Sequence, residues 1–407
     1  MVAIGADGRA WSWGRNEHGQ LGHGDQVNRQ VPTVIEGPLK DVKIVSGALG
    51  KSHTVLVDES GNAWAFGANK HGQLGLGSVR SNPRNPKEED VRLVPAKCAG
   101  ISGATSVACG AEFTAWLCAP GHAFTCGLPQ YGQLGHGTDH EHNTAASSVK
   151  LAYEPQPTPM RVVTANKDSN PDFKFLDAEI TNLACGHNHC VCTDANGKIW
   201  TWGNGGYGRL GHKVQKDEFS PRLVEIMGGD RNLVPSDGSA VLAAAQTCSW
   251  ATAAGGQMYV WGKPKTSGDN HMYPVPFMDF QGWNLRSVSC GATTFAAAGE
   301  DQAITWGQGA GCGELGYGEK GPKSSANPKT VDSLGGKCTL QVACGVGHCA
   351  FLVKREDAEG CPVFEPKEPP AAAGGGGAKA GGSNGGAAAA KRKGAPGGGK
   401  KQPKKKK

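Results

Sequence analysis

Six copies of one short glycine-rich pattern decide what this chain can fold into. They read WSWGRNEHGQLGHGD (11–25), AFGANKHGQLGLG (65–77), TCGLPQYGQLGHG (125–137), TWGNGGYGRLGH (201–212), VWG (260–262) and TWGQGAGCGELGYG (305–318). Their anchoring glycines, Gly14, Gly67, Gly127, Gly203, Gly262 and Gly307, are spaced by 53, 60, 76, 59 and 45 residues. A second element precedes most of them: CGAEFTAWL (109–117), CGHNHCVCT (185–193), CGATTFAAA (290–298) and CGVGHCAFL (344–352), with GALGKSHTVLV (47–57) and AQTCSWATA (245–253) as looser copies. A glycine-containing turn such as DESGN (58–62) or DANGK (194–198) joins the two elements.

Each unit reads as short strands of alternating character, with no helical period. One such unit cannot bury both faces of its sheet, so the units must stack side by side. Several strands per repeat at this spacing give a β-propeller and not a helical solenoid. The Trp-Asp ending of WD-type propellers is absent and the period is too long for them. The glycines of G-Q-L-G belong where the backbone needs positive φ or a close approach. The Leu, and the Trp before the W-G glycine, are expected to plug the core between blades.

The expected domains are the propeller over 1–356 and a disordered tail over 357–407. Residues 367–407 carry eleven Lys or Arg against one acid, Glu368, a balance of +10 beside −4 for residues 1–366. Such a block cannot collapse on itself and seeks a polyanion. Lys391, Arg392 and Lys393, then Lys400, Lys401, Lys404, Lys405, Lys406 and Lys407, form two basic clusters that fit a nuclear import signal or a DNA-phosphate-contacting arm. No aromatic residue interleaves them, so binding should be independent of base sequence. Between Gly137 and Leu183 the chain is about 20 residues longer than a repeat needs. The excess, 139–178, reads as a protruding loop or small hairpin.

No apolar run is long enough to span a bilayer, and the N-terminus lacks a basic-then-apolar signal, so no membrane association is expected. The fourteen cysteines include no C-x-x-C pair, and Cys109, Cys185, Cys290 and Cys344 share a small residue before and a Gly after, the mark of a buried repeat position. No cofactor or metal is implied. DHEH (139–142) offers ligand types on a loop without a framing element. The glycine-rich loops at 203–211 and 307–316 do not end in G-K-[ST], and no G-x-S-x-G elbow exists.

The W-G-x-N-x-x-G-Q-L-G-x-G pattern with a preceding C-G-x-x-H strand resembles the regulator of chromosome condensation repeat, over residues 1 to about 356. WSWGRNEHGQLGHGD, ACGAEFT, GGYGRLGHKVQKDEFSPRLV (205–224) and GELGYGEKGPKSS (313–325) are similar to its second, telophase-disc type. The resemblance implies a seven-bladed propeller. MVAIGADGRAWSWG matches the second half of HTVLVDESGNAWAFG, so six W-G units are visible: either six blades close or a seventh lies upstream of a truncated start, which the resemblance favours, and a gap or an irregular closing blade is expected near Met1 and Phe351.

What the resemblance implies is partners and not a covalent reaction: exchange or regulation of a Ras-superfamily GTPase (Ran, Rac or Ral type), association with chromatin in the nucleus, and with centromeres and spindle microtubules in mitosis. A non-catalytic scaffold of chromosomes or spindle is the alternative. An ultraviolet-B receptor on the same fold is a weaker one, since its G-W-R-H-T repeat has one distant match, GWNLR (282–286). In the founding member an acidic residue before the His of the C-G-x-x-H strand serves exchange. Aligned by sequence, that position holds Ser52, Glu112, Asn188, Ser249, Thr294 and Gly347. Glu112 is the acidic one and is the candidate to engage a GTPase P-loop lysine; the plainer reading is a solvated Glu at a strand end. His53, His189 and His348 recur at equivalent places. They are expected either to bond a neighbouring blade or to face the GTPase from one rim. The 139–178 insertion is the candidate for a wedge pushed against the partner.

Overall fold

A computed structural model describes residues 1–80, 90–145, 148–162, 178–228, 233–236, 238–265, 268–299, 301–308, 311–361 and 363. The basic clusters from Lys391 to Lys407 lie outside the described residues, as do 163–177 of the insertion. Among the described residues the one α-helix is Glu225–Gly228, and no helix is long and apolar enough to cross a membrane.

The described strands form antiparallel sheets that follow one another in sequence. The first is three-stranded: β1 (Val2–Ile4), β2 (Ala10–Gly14) and β3 (Arg29–Val34). The second holds β4 (Ile44–Leu49), β5 (His53–Asp58), β6 (Ala63–Ala68) and β7 (Val91–Lys97). The third begins with β8 (Ala104–Cys109), β9 (Phe113–Cys118) and β10 (His122–Gly127). The chain then makes a separate hairpin, β11 (Glu141–Asn143) and β12 (Leu151–Tyr153), before β13 (Gln156–Arg161) returns as that sheet's fourth strand. Three further four-stranded sheets follow. They are β14 (Ile180–Cys185) to β17 (Glu218–Leu223), β18 (Leu242–Ala244) to β21 (His271–Pro276), and β22 (Ser287–Cys290) to β25 (Ser325–Thr330). The last sheet has two strands, β26 (Thr339–Cys344) and β27 (Cys349–Val353). The architecture is the all-β propeller expected.

The first and last sheets of the series are the ones with fewer than four strands. Met1 is the counterpart of Thr54 and Thr114, and its ammonium donates to Trp13 O at 2.9 Å. After burial, the field of that ammonium is what lowers the pKa of His348 in the two-stranded sheet. The irregularity at the two ends takes the form of three strands in the first sheet and two in the last.

The sequence pattern explains the strand order. The second strand of each complete unit is buried on both faces: all six residues of β5, β9 and β15 (His189–Asp194) are buried. Simple alternation fails there because blades cover both sides of their neighbours' central strands. The fourth, outer strand carries a proline in every unit: Pro32, Pro95, Pro157 and Pro159, Pro221, Pro274 and Pro276, Pro328. A residue without an N–H is tolerated at a sheet edge and nowhere else in a ladder. This revises the insertion. Its Pro-rich 156–161 stretch is the outer strand of a blade, and among the described residues of the insertion the β11–β12 hairpin and its flanks stand outside the repeat.

Leu21, Leu74, Leu134, Leu210 and Leu315 of the G-x-L-G loops are all at most 2% exposed. They seat between sheets as expected: Leu134 packs with Cys190 and Trp202 of the following blade. The densest cluster joins Trp250, Phe277, Phe280, Phe295 and Trp306 between the fifth and sixth sheets. Cys109, Cys185, Cys290 and Cys344, expected to be buried, are partly buried; Cys109 and Cys290 pack against core clusters, and desolvation pushes their thiols up.

Candidate functional site

The repeat builds a polar mouth on one face, and glycine is what permits it. In the five complete units the W-G glycine has φ of 104° (Gly67), 119° (Gly127), 104° (Gly203), 94° (Gly262) and 136° (Gly307). A Cβ at Gly203 would stand 2.6 Å from Asn188 O and 2.8 Å from His189 Cα. That closeness lets the next residue donate its N–H back across the strand. Ala68 donates to Ser52 O (2.8 Å), Leu128 to Glu112 O (3.0 Å), Asn204 to Asn188 O (2.9 Å), Lys263 to Thr247 O (2.8 Å) and Gln308 to Thr293 O (3.1 Å).

Ser52, Glu112, Asn188, Thr247 and Thr293 are therefore the equivalent positions. The sequence alignment had Ser249 and Thr294 in the fifth and sixth units, and both are displaced. Strand pairing sets Cys248 opposite Gly262 and Thr294 opposite Gly307, as His53 is opposite Gly67. These two units lack the histidine that marks the register in the second and fourth. A belt of main-chain bonds ties neighbouring blades here, with Lys51 N donating to Ala111 O (3.1 Å) and Ala111 N to His187 O (3.0 Å).

Glu112 is the carboxylate among the equivalent rim positions, and it is held. Lys51 Nζ lies 3.4 Å from its Oε1, and Gln73 Nε2 donates to Oε2 at 3.0 Å. Its side chain is 23% exposed and that of Lys51 is 66% exposed. A partner cation could displace Lys51 without Glu112 giving up its Gln73 bond.

Of the two expectations for the recurrent histidines, His53 and His189 meet the first, a bond to the neighbouring blade. His53 and His189 are buried, at 1% and 0% exposure, and latch adjacent blades. His53 Nε2 lies 3.0 Å from Thr114 Oγ1 of the next sheet, and that hydroxyl donates to Gln73 O at 2.7 Å. His189 Nε2 lies 2.8 Å from Ser249 Oγ, which donates to Arg209 O at 2.9 Å. Each hydroxyl hydrogen is spent on a carbonyl, so the imidazole must donate from Nε2. Nδ1 of both rings is left without a partner among the described residues. Burial lowers the pKa of His53 to about 4 and that of His189 well below the ordinary histidine value. The C-G glycine makes room for this ring: a Cβ at Gly186 would be 2.2 Å from His189 Cε1. His348 is exposed and lies near Glu314 and the N-terminal ammonium.

A second histidine set escaped the sequence reading. His23, His136 and His212, in the loops following L-G, place Nε2 at 2.9, 2.8 and 2.9 Å from Ser12, Thr125 and Thr201. Each hydroxyl also donates to the Leu carbonyl of its loop. The signal was present as Leu-Gly-His in the repeat copies.

Comparisons with known proteins fit this architecture. The family description "Regulator of chromosome condensation (RCC1) repeat" matches residues 7–57, 60–117, 120–193, 196–234 and 300–352. Human Protein RCC2 is 37% identical over 358 residues, covering 88% of this chain and 66% of that protein. The zebrafish (Danio rerio) Protein RCC2 homolog is 36% identical, with 88% and 69% covered. The chain thus spans about two thirds of the length of these relatives. The ultraviolet-B receptor UVR8 of Arabidopsis thaliana is 28% identical over 335 residues, covering 80% of this chain and 66% of UVR8. Among solved structures, human WBSCR16 superposes with a TM-score of 0.63 at 21% identity, covering 85% of this chain and 86% of that one. Yeast RCC1 (Prp20), solved bound to Kap60, gives 0.62 at 19% identity, covering 84% and 76%. Prp20p from Saccharomyces cerevisiae, described with its binding properties to Gsp1p and histones, gives 0.52 at 17%, covering 88% and 95%.

Proposed function

The chain belongs to the regulator of chromosome condensation (RCC1) repeat family, and from that premise we propose that it is a nuclear, chromatin-associated regulator of a small Ras-superfamily GTPase. The observation that carries the reading is the likeness to Protein RCC2 along 88% of the chain. Prp20p, on the same fold, is described as binding Gsp1p and histones, one protein class for each half of the proposal.

In this reading the propeller mouth receives the GTPase and exchanges its nucleotide. No covalent step is required. A factor that binds the nucleotide-free GTPase better than the loaded one speeds release by differential binding. Glu112 is placed to take a partner's lysine in exchange for Lys51, and the β11–β12 hairpin is the wedge candidate in place of the whole 139–178 segment. His53 and His189 support the mouth from beneath. The basic clusters at 391–393 and 400–407 hold the protein on chromatin, with a role in mitosis at centromeres or spindle microtubules.

The tether of Glu112 to both Lys51 and Gln73 favours a second reading, a scaffold that binds without exchanging. One experiment separates the two. Release of a fluorescent guanine nucleotide from Ran, Rac and Ral proteins is followed with full-length protein and with Glu112→Gln, beside a direct binding measurement. Acceleration lost in the variant supports exchange through Glu112. Binding without acceleration supports the scaffold, and neither binding nor acceleration overturns the GTPase assignment.

A further inference from the structure

The fourth unit departs from the repeat at one point. In the first three units the Gln of G-Q-L-G closes its own loop. Oε1 of Gln20, Gln73 and Gln133 accepts the N–H two residues earlier, at 2.9, 2.8 and 2.8 Å. Glu314 does the same toward Cys312 N at 2.9 Å. The fourth unit has Arg209 there, and a guanidinium cannot accept a hydrogen bond. Arg209 instead donates from Nε to Gly206 O (2.8 Å) and from Nη1 to Gln246 O (2.7 Å). The loop is reshaped to match: Tyr207 takes φ of 63°, in the left-handed region.

The result is a buried cation beside a hollow. Arg209 is 6% exposed, it makes no ion pair among the described residues, and Nη2 has no hydrogen-bond partner among them. It lines a cavity of about 510 Å³ at the mouth between the fourth and sixth sheets. Arg209 Cζ and Lys263 Nζ each lie 5.5 Å from the centroid of the Tyr207 ring, which is stacked against both. Lys265 completes the wall, its Nζ 3.3 Å from Asn327 Oδ1. Neutral donors, Asn188 and Asn204 among them, fill much of the remainder, and among the described residues no Asp or Glu lines the cavity. The acid whose field reaches Arg209, Asp217, is off the wall and has Oδ1 on Gly205 N at 2.7 Å.

We propose that this cavity, walled by Arg209, Lys263, Lys265 and Tyr207, is a binding site for a small phosphate-bearing compound carrying two or more negative charges. A buried guanidinium without a carboxylate is costly until an anion arrives. A multiply charged phosphate answers three cations and several neutral donors at once, where a single carboxylate has charge and acceptors for only part of the wall. The volume falls in the range of roughly 300–1,000 Å³ that holds small ligands, and is too small for a folded partner. This reading does not depend on the GTPase proposal, because it needs no protein partner.

The test is calorimetric titration of full-length protein with pyrophosphate, inorganic phosphate and citrate at low salt. Variants are Lys263→Ala/Lys265→Ala and Arg209→Gln; the second restores the residue and the loop-closing acceptor of the other units. Saturable 1:1 pyrophosphate binding, weakened at least tenfold in the double variant and in Arg209→Gln, with citrate much weaker, is the expected result. The double variant alters only wall residues that are not fully buried, so it tests the site even if Arg209→Gln fails to fold. Equal binding by wild type and double variant would move the site to the basic tail and overturn the proposal, as would no saturable binding. Citrate binding as tightly as pyrophosphate would overturn the assignment to phosphate.

Discussion

Acid should loosen this propeller through its buried histidines, and His53 allows the size of the effect to be worked out. Its Nε2 donates to Thr114 Oγ1, while Nδ1 faces no acceptor among the described residues. Protonation would place a buried N–H and a full charge where neither is received. Burial accordingly holds the pKa near about 4 against an ordinary value of 6.5. The folded pKa is depressed, so between these values the unfolded chain binds the extra proton. The stabilisation is complete above pH 6.5 and is lost as pH falls toward 4. At 1.36 kcal/mol per pKa unit, His53 alone accounts for about 3 kcal/mol across that window. Replacement by Gln keeps an amide donor for Thr114 and removes the titration. Unfolding free energies from denaturant titrations, followed by tryptophan fluorescence between pH 7.5 and 4.5, measure the difference. Wild type should lose about 2.5 kcal/mol more than His53→Gln over this range. If the two curves run parallel within about 0.5 kcal/mol, the latch does not hold a neutral imidazole and the inter-blade argument fails.

Gly203→Ala should destabilise the fold by roughly 2 kcal/mol or more, since alanine at φ of 104° would also meet Asn188 O at 2.6 Å; chemical denaturation reads this directly. Trp250→Ala, which empties a fully buried site with ring contacts to Phe277 at 5.0 Å and to Phe295 and Trp306 at 5.6 Å, should cost about 3–5 kcal/mol in the same assay. Deleting 367–407 should abolish duplex DNA affinity and nuclear accumulation while leaving the unfolding midpoint unchanged. If six to eight lysines meet phosphates, full-length binding should fall with salt at a log–log slope near −0.9 per contact; equal, salt-independent binding by both forms would refute this.

The sequence made the blades legible because the repeat constrains backbone and core together. A W-G glycine at positive φ and a fully buried Leu are demanded in almost every unit, so their recurrence is visible without coordinates. Two things were not legible. The outer strand Gln156–Arg161 reads as loop because Pro157 and Pro159 argue against a strand, and only its place at a sheet edge makes them acceptable. The histidines look alike whether they face a partner or a neighbouring blade. What decides is the hydroxyl opposite: Thr114 for His53 and Ser249 for His189, each 60 or 61 residues away in sequence.

A repeat pattern therefore reports on the scaffold, and function has to be sought where one unit breaks it. Two such breaks face the same mouth. At the position held by Ser, Asn or Thr in the other complete units, the third unit has Glu112, a carboxylate with a replaceable lysine. At the position held by Gln in the first three, the fourth has Arg209, a buried guanidinium with a free edge toward the cavity. The repeat itself demands neither charge, since Gln73 and Gln133 close the same loop and Asn188 holds the same rim position without one. The two fields also meet: His187 has its pKa lowered by burial, by Arg209 and by Lys51, and raised by Glu112. A ligand that neutralises Arg209 would remove the larger of the two cationic contributions and leave that of Lys51. The mouth that Glu112 presents to a partner would then become more negative, which couples the two sites through charge alone.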